Sequence, residues 1–81
     1  MYYESMRILN NNILTKREAE IILQILSGKN KQEIAKALSL SVSTIKTNVE
    51  KIYQKFNVHS KTEMIIYIIK NKIVDLEDNK E

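Results

Sequence analysis

The 81-residue chain is predicted to fold as a compact all-α domain of four helices. Three observations predict it. Apolar residues recur at spacings of three and four, the period of amphipathic helices, and do not alternate as in a half-buried strand. Three segments open on a Ser, Thr or Asn with Glu three residues later: Thr15 to Glu18, Asn30 to Glu33 and Ser60 to Glu63. That spacing is a helix-opening signature, because each partner can satisfy a backbone N–H the helix leaves free. The linkers between periodic segments are three to four residues long, so successive helices must pack against one another.

Residues 1–13, MYYESMRILNNNI, form an entry segment. Tyr2, Tyr3, Met6 and Leu9 have the spacing of a short helix that Asn10-Asn11-Asn12 would stop. A frayed arm is the equal alternative. Thr15 caps the first full helix, with Leu14 placed for a hydrophobic staple. This helix runs to about Ser27, with Ala19, Ile22, Leu23 and Leu26 as its inner stripe and Ile21 and Ile25 beside it. Gly28, the single glycine, suits the left-handed residue just past a helix end. Lys29 complements the negative end of the helix dipole. Asn30 caps the second helix, which turns Ile34, Ala35 and Leu38 inward. Ser39-Leu40-Ser41 is a three-residue turn in which Leu40 tucks under the corner and Ser41 caps the third helix. There Ile45, Val49, Ile52, Tyr53 and Phe56 form one apolar face. Asn57 tolerates the left-handed conformation that ends it.

Two helices joined by so short a turn, with small Ala35 where they would come closest, have the layout of a helix-turn-helix whose second helix enters a DNA major groove. With the apolar face inward, Ser43, Lys46, Thr47, Glu50 and Gln54 face out, flanked by Lys51 and Lys55. Ser60 opens the fourth helix, predicted to reach about Lys72. Its run Met64 to Ile69 is apolar on every side, and a helix at the edge of a small bundle buries only one side. The expected reason is a dimerisation helix, with Ile65, Ile66, Ile68, Ile69 and Ile73 as candidate interface residues; the alternative is a helix wedged deep in its own monomer, under the N-terminal segment. The stripes facing the core and the partner are not separable from the sequence.

Net charge is +3, unevenly spread. Residues 75–81 carry four acids and one lysine, giving −3, which leaves twelve basic against six acidic side chains in residues 1–74, or +6. A basic body with an acidic tail suits a polyanionic partner. There is one histidine, His59, and no cysteine. A histidine cluster and a thiolate metal site are thereby excluded, and no catalytic constellation is present. One glycine cannot build a glycine-rich phosphate loop. No cofactor and no enzymatic activity are expected. No apolar run approaches the ~20 residues of a membrane span, and the N-terminus lacks a signal-peptide pattern. A cytoplasmic location and no membrane partner are expected.

The set Leu14-Thr15-x-Arg17-Glu18, Gly28, Lys31-x-Glu33-Ile34-Ala35, Leu38, Ser41-x-x-Thr44-Ile45-Lys46 and Ile52-Tyr53-x-Lys55-Phe56 resembles the LuxR/GerE-type DNA-binding domain over residues 14–74. The resemblance implies that the third helix reads DNA and the fourth pairs two copies. Base-reading candidates are Lys46, Thr47 and Glu50. Backbone candidates are Asn30, Lys31, Ser43, Thr44, Lys51, Lys55, Lys61 and Thr62. Four positions depart from the family pattern: Asn57 replaces the usual glycine, Asn48 a common histidine and Lys61 the usual arginine, while Glu50 stands where basic or small residues are frequent. A carboxylate at 50 repels phosphate but can accept from cytosine N4. Expected partners are double-stranded DNA and a second copy, with RNA polymerase as a further candidate. The expected function is a dimeric transcription regulator on an inverted-repeat operator, either a stand-alone GerE-like member or the effector domain of a larger response regulator. Two alternatives stand beside it: a promoter-binding domain like region 4 of a sigma factor, and a module that heterodimerises with a related regulator and blocks it.

Overall fold

The computed structural model describes the backbone of residues 6–8 and 13–76 and the side chains of residues 13–74. The order is β1 (Met6–Ile8), α1 (Lys16–Leu26), α2 (Lys31–Leu38), α3 (Val42–Phe56), α4 (Lys61–Lys70) and β2 (Val74–Leu76). The fold is the all-α, four-helix class expected. Helix α3 packs on α1, α2 and α4. The core is closed by Ile21, Ile22 and Ile25 of α1, Ile34 and Ala35 of α2, Ile45, Val49, Ile52 and Phe56 of α3, and Met64 and Ile68 of α4. Tyr67 stacks on Phe56, ring centroids 4.4 Å apart, and fastens α4 to the end of α3.

The caps behave as their chemistry requires. The Thr15 backbone N–H donates to the Glu18 carboxylate at 2.9 Å and the Glu18 N–H to the Thr15 hydroxyl at 3.1 Å. Asn30 and Glu33 repeat the exchange at 2.8 Å each way. Ser60 accepts from the Glu63 N–H, but the Glu63 carboxylate accepts from the His59 N–H, one residue further back. All four helices end alike. Gly28, Ser39, Asn57 and Lys72 each have positive φ. The next residue then donates to a carbonyl five positions earlier: Lys29 to Gln24, Leu40 to Ala35, Val58 to Tyr53 and Ile73 to Ile68. That closure satisfies helix-end carbonyls. Leu40, Val58 and Ile73 are apolar and pack on the core from this position, so each stop also anchors the chain.

The structure corrects several expectations. Met6–Ile8 is not part of a helix. It pairs antiparallel with Val74–Leu76, Arg7 opposite Asp75, so the chain on either side of the bundle is joined as a ribbon and Asp75 lies in a strand rather than a free tail. Tyr2, Tyr3, Leu9 to Asn12 and residues 77–81 lie outside the described residues. The buried residues of α1 are Glu18, Ala19, Ile21, Ile22, Gln24 and Ile25: Ala19 and Ile22 face inward as expected, while Leu23 and Leu26 lie at the margin. Six apolar residues cover more than half of this helix, so periodicity left its centre free by one residue, and packing on α3 chose. Helix α4 stops at Lys70, not Lys72.

Candidate nucleic-acid interface

Helix α3 projects a polar face because its other face is committed. Ile45 and Ile52 have no exposure, and Val49 and Phe56 little more. That rotation leaves Ser43, Lys46, Thr47, Glu50, Lys51 and Gln54 exposed, with Thr44 half-buried. At the entry of α3 the Thr44 N–H donates to the Ser41 hydroxyl at 3.0 Å, and that hydroxyl donates to Thr44 Oγ1 at 2.9 Å. The Asn48 carboxamide donates to the Thr44 carbonyl at 2.8 Å, within its own helix. Among the described residues the Lys46 and Glu50 side chains make no ion pair or hydrogen bond.

Beside this face the N-terminal ends of α2 and α4 border one cavity. Lys31 and Lys61 open these helices, thirty residues apart in sequence. Both line this cavity of about 70 Å³ with Lys29, Ile25, Ile34, Val49 and Tyr53. Asn30 and Thr62 are exposed next to them. Lys29 was expected only as a partner of the α1 dipole; the fold brings it to this basic rim, where its ammonium also donates to Gln24 Oε1 at 2.7 Å. Its position two residues before Lys31, across the Asn30 cap, was the available signal. Burial pushes the Tyr53 hydroxyl up from its ordinary value. On the other flank an open groove of about 440 Å³ runs between Glu50, Tyr53, Gln54, Asn57, Val58 and His59.

Lys55 stands differently from the other candidates. Its ammonium lies 2.6 Å from Glu18 Oε1, with the Lys55 side chain 33 % and the Glu18 side chain 3 % exposed. Burial alone would raise the Glu18 carboxyl; the Lys55 ammonium and the Thr15 N–H and hydroxyl together outweigh it and hold the group below its ordinary value. Lys55, expected at the DNA backbone, is thus engaged in tying the end of α3 to the start of α1.

The five candidate interface residues on α4 and just after it divide. Ile68 and Ile73 are 2 % and 5 % exposed and belong to the protomer's own core. Ile68 lies one turn from Met64 on the inward stripe, and Ile73 is the anchor after the left-handed stop at Lys72. Ile65 is half-buried. Ile66 and Ile69 stand 45 % and 69 % exposed. Two large aliphatic side chains one turn apart therefore face outward.

A short-turn pair of helices, the second with a buried apolar face and an outward polar one, defines a helix-turn-helix DNA-binding domain. The chain belongs to the luxR family of bacterial regulatory proteins, whose family model matches residues 12–68. That membership sets aside the sigma-factor alternative. Over 60 residues, 74 % of the chain, it is 42 % identical to the uncharacterized transcriptional regulatory protein YxjL of Bacillus subtilis (strain 168), of which it covers 28 %. It is 39 % identical over 62 residues, 76 % of the chain, to the response regulator protein VraR of Staphylococcus aureus (strain Mu3) and of Staphylococcus epidermidis, covering 30 % of each. The chain spans less than a third of the length of these curated relatives. No solved structure matches it closely. Among the described residues no helix is long and apolar enough to cross a membrane.

Proposed function

We propose that the chain binds double-stranded DNA sequence-specifically as a homodimer on an inverted-repeat operator, and that it regulates transcription without enzymatic activity. The observation that carries this reading is the exposed polar face of α3, flanked by the lysine rim that α2 and α4 contribute. A helix so presented fits the major groove with its N-terminal half toward the bases. Lys46, Thr47 and Glu50 are the base readers. Asn30, Lys31, Ser43, Thr44, Lys51, Lys61 and Thr62 meet the backbone, which supplies most of the affinity. The second copy docks on Ile65, Ile66 and Ile69, and the two reading helices then stand about one DNA turn apart, ~34–36 Å. RNA polymerase is the further partner such a regulator addresses, and the cytoplasm is where it meets both. The names of YxjL as a transcriptional regulatory protein and VraR as a response regulator support the same reading.

The test is a fluorescence-anisotropy titration with a labelled duplex of random sequence at several salt concentrations. Affinity falls steeply with salt if the lysines displace counterions. A flat response removes the DNA-binding reading and leaves α4 as the working surface of a module that pairs with another regulator.

A further inference from the structure

Lys46 and Glu50 stand one helical turn apart on the outward face of α3, both exposed. Neither side chain has a partner among the described residues, and they do not pair with each other. Their order disfavours that pairing, since lysine four residues before glutamate is the weaker arrangement on a helix. The face thus offers, side by side, a group that only donates and, when ionised, a group that only accepts.

In the major groove that combination has one good complement. Guanine shows two acceptors, O6 and N7, and suits an ammonium. Cytosine shows the N4 amino donor and no acceptor. Adenine also donates, but its N7 acceptor stands beside the amino group and repels a carboxylate. Four helical residues rise about 6 Å, more than one base-stacking step of about 3.4 Å, so the two side chains reach neighbouring base pairs. The two contacts depend on each other: guanine O6 next to cytosine N4 repels the carboxylate unless an ammonium covers it.

We propose that Lys46 and Glu50 act as a coupled reader of one guanine and one cytosine within two adjacent base pairs of each half-site, Glu50 accepting from cytosine N4. This rests on the DNA-binding reading above and names its sequence preference. Glu50 also repels phosphate, so it lowers affinity for every other sequence and raises the contrast.

The test is selection from a random duplex library by the wild-type chain and by Glu50→Gln, Glu50→Ala and Lys46→Ala, each checked for wild-type circular dichroism. The wild type should enrich a guanine and a cytosine in adjacent positions of each half-site. Glu50→Gln should move the preference from cytosine to adenine, because a carboxamide fits adenine N6 and N7. Glu50→Ala should lose the cytosine. The winning duplex is then remade with N4-methylcytosine, which keeps base pairing but covers the outward amino hydrogen. Wild-type affinity should drop about 5- to 150-fold, the range of one good base contact, and Glu50→Ala affinity should not change. If Glu50→Ala and Glu50→Gln select the wild-type sequence, or the methyl group costs both proteins equally, the coupled reader is overturned while DNA binding stands. If the wild type enriches no sequence and binds no duplex at low salt, both readings fail.

Discussion

Replacing Lys55 with alanine should test how the reading helix is held. The Glu18 carboxylate is almost wholly enclosed and accepts from two donors, the Lys55 ammonium at 2.6 Å and the Thr15 N–H at 2.9 Å. Stripping one partner from a fully buried ion pair costs ~3–5 kcal/mol, mostly through the charge left behind. Here Thr15 remains and the lysine end is partly in water, so about 2 kcal/mol is expected. A domain of this size has a total of ~4–12 kcal/mol, and the loss corresponds to a fall in Tm of ~8–16 °C. Urea unfolding followed by far-ultraviolet circular dichroism, at fixed protein concentration, measures it. The pH dependence follows from the depressed Glu18 carboxyl. The stabilisation is fully present above the unfolded-state value near 4.5 and is lost as pH falls through the lower folded value. The gap between wild type and Lys55→Ala should therefore be widest near neutrality and close in acid, where a protonated Glu18 needs no ammonium. Under conditions where the variant stays folded, its salt slope on DNA should match the wild type. A variant as stable as wild type at neutral pH, or a slope shallower by about one, would refute the pairing and return Lys55 to the phosphates.

The wild-type slope of log affinity against log salt should be roughly −5 to −7, for ~3–4 phosphates neutralised per half-site at ~0.9 each; anisotropy at four salt concentrations checks it. Ile66→Lys and Ile69→Lys should stay folded and sediment as monomers that bind DNA weakly, because both sites are exposed. Ile68→Lys should unfold, since its side chain is enclosed and a buried charge without a partner is not tolerated. Unchanged sedimentation of both exposed-site variants would place the dimer contact elsewhere. Ser39, at φ 58, should tolerate glycine with equal or greater stability. Valine there should cost ~1–2 kcal/mol in a denaturant titration, as its Cβ clashes in the left-handed conformation.

Local chemistry made the helix starts legible in the sequence. A cap is decided within four residues, so Thr15, Asn30, Ser41 and Ser60 could be read without knowing the fold. The inward face of α3 was legible for a related reason: its apolar residues occupy one narrow stripe, and only one rotation buries them. With that rotation came the outward set of Lys46, Thr47 and Glu50. Gly28 and Asn57 announced two of the helix stops, because their side chains suit positive φ.

Only the tertiary structure could settle features that depend on distant partners. Helices α1 and α4 are apolar around too much of their surface for periodicity to choose a face, and contact with α3 made the choice. That contact enclosed Ile68 and left Ile66 and Ile69 outside. Ser39 and Lys72 carry no signal for positive φ; the apolar residues after them, Leu40 and Ile73, draw the chain back onto the core. The pairing of Met6–Ile8 with Val74–Leu76 joins segments more than sixty residues apart. The same holds for Lys55 on Glu18, thirty-seven residues away, and for Lys29, Lys31 and Lys61 around one cavity. A charge shows in the sequence, but its partner is chosen by how the helices cross.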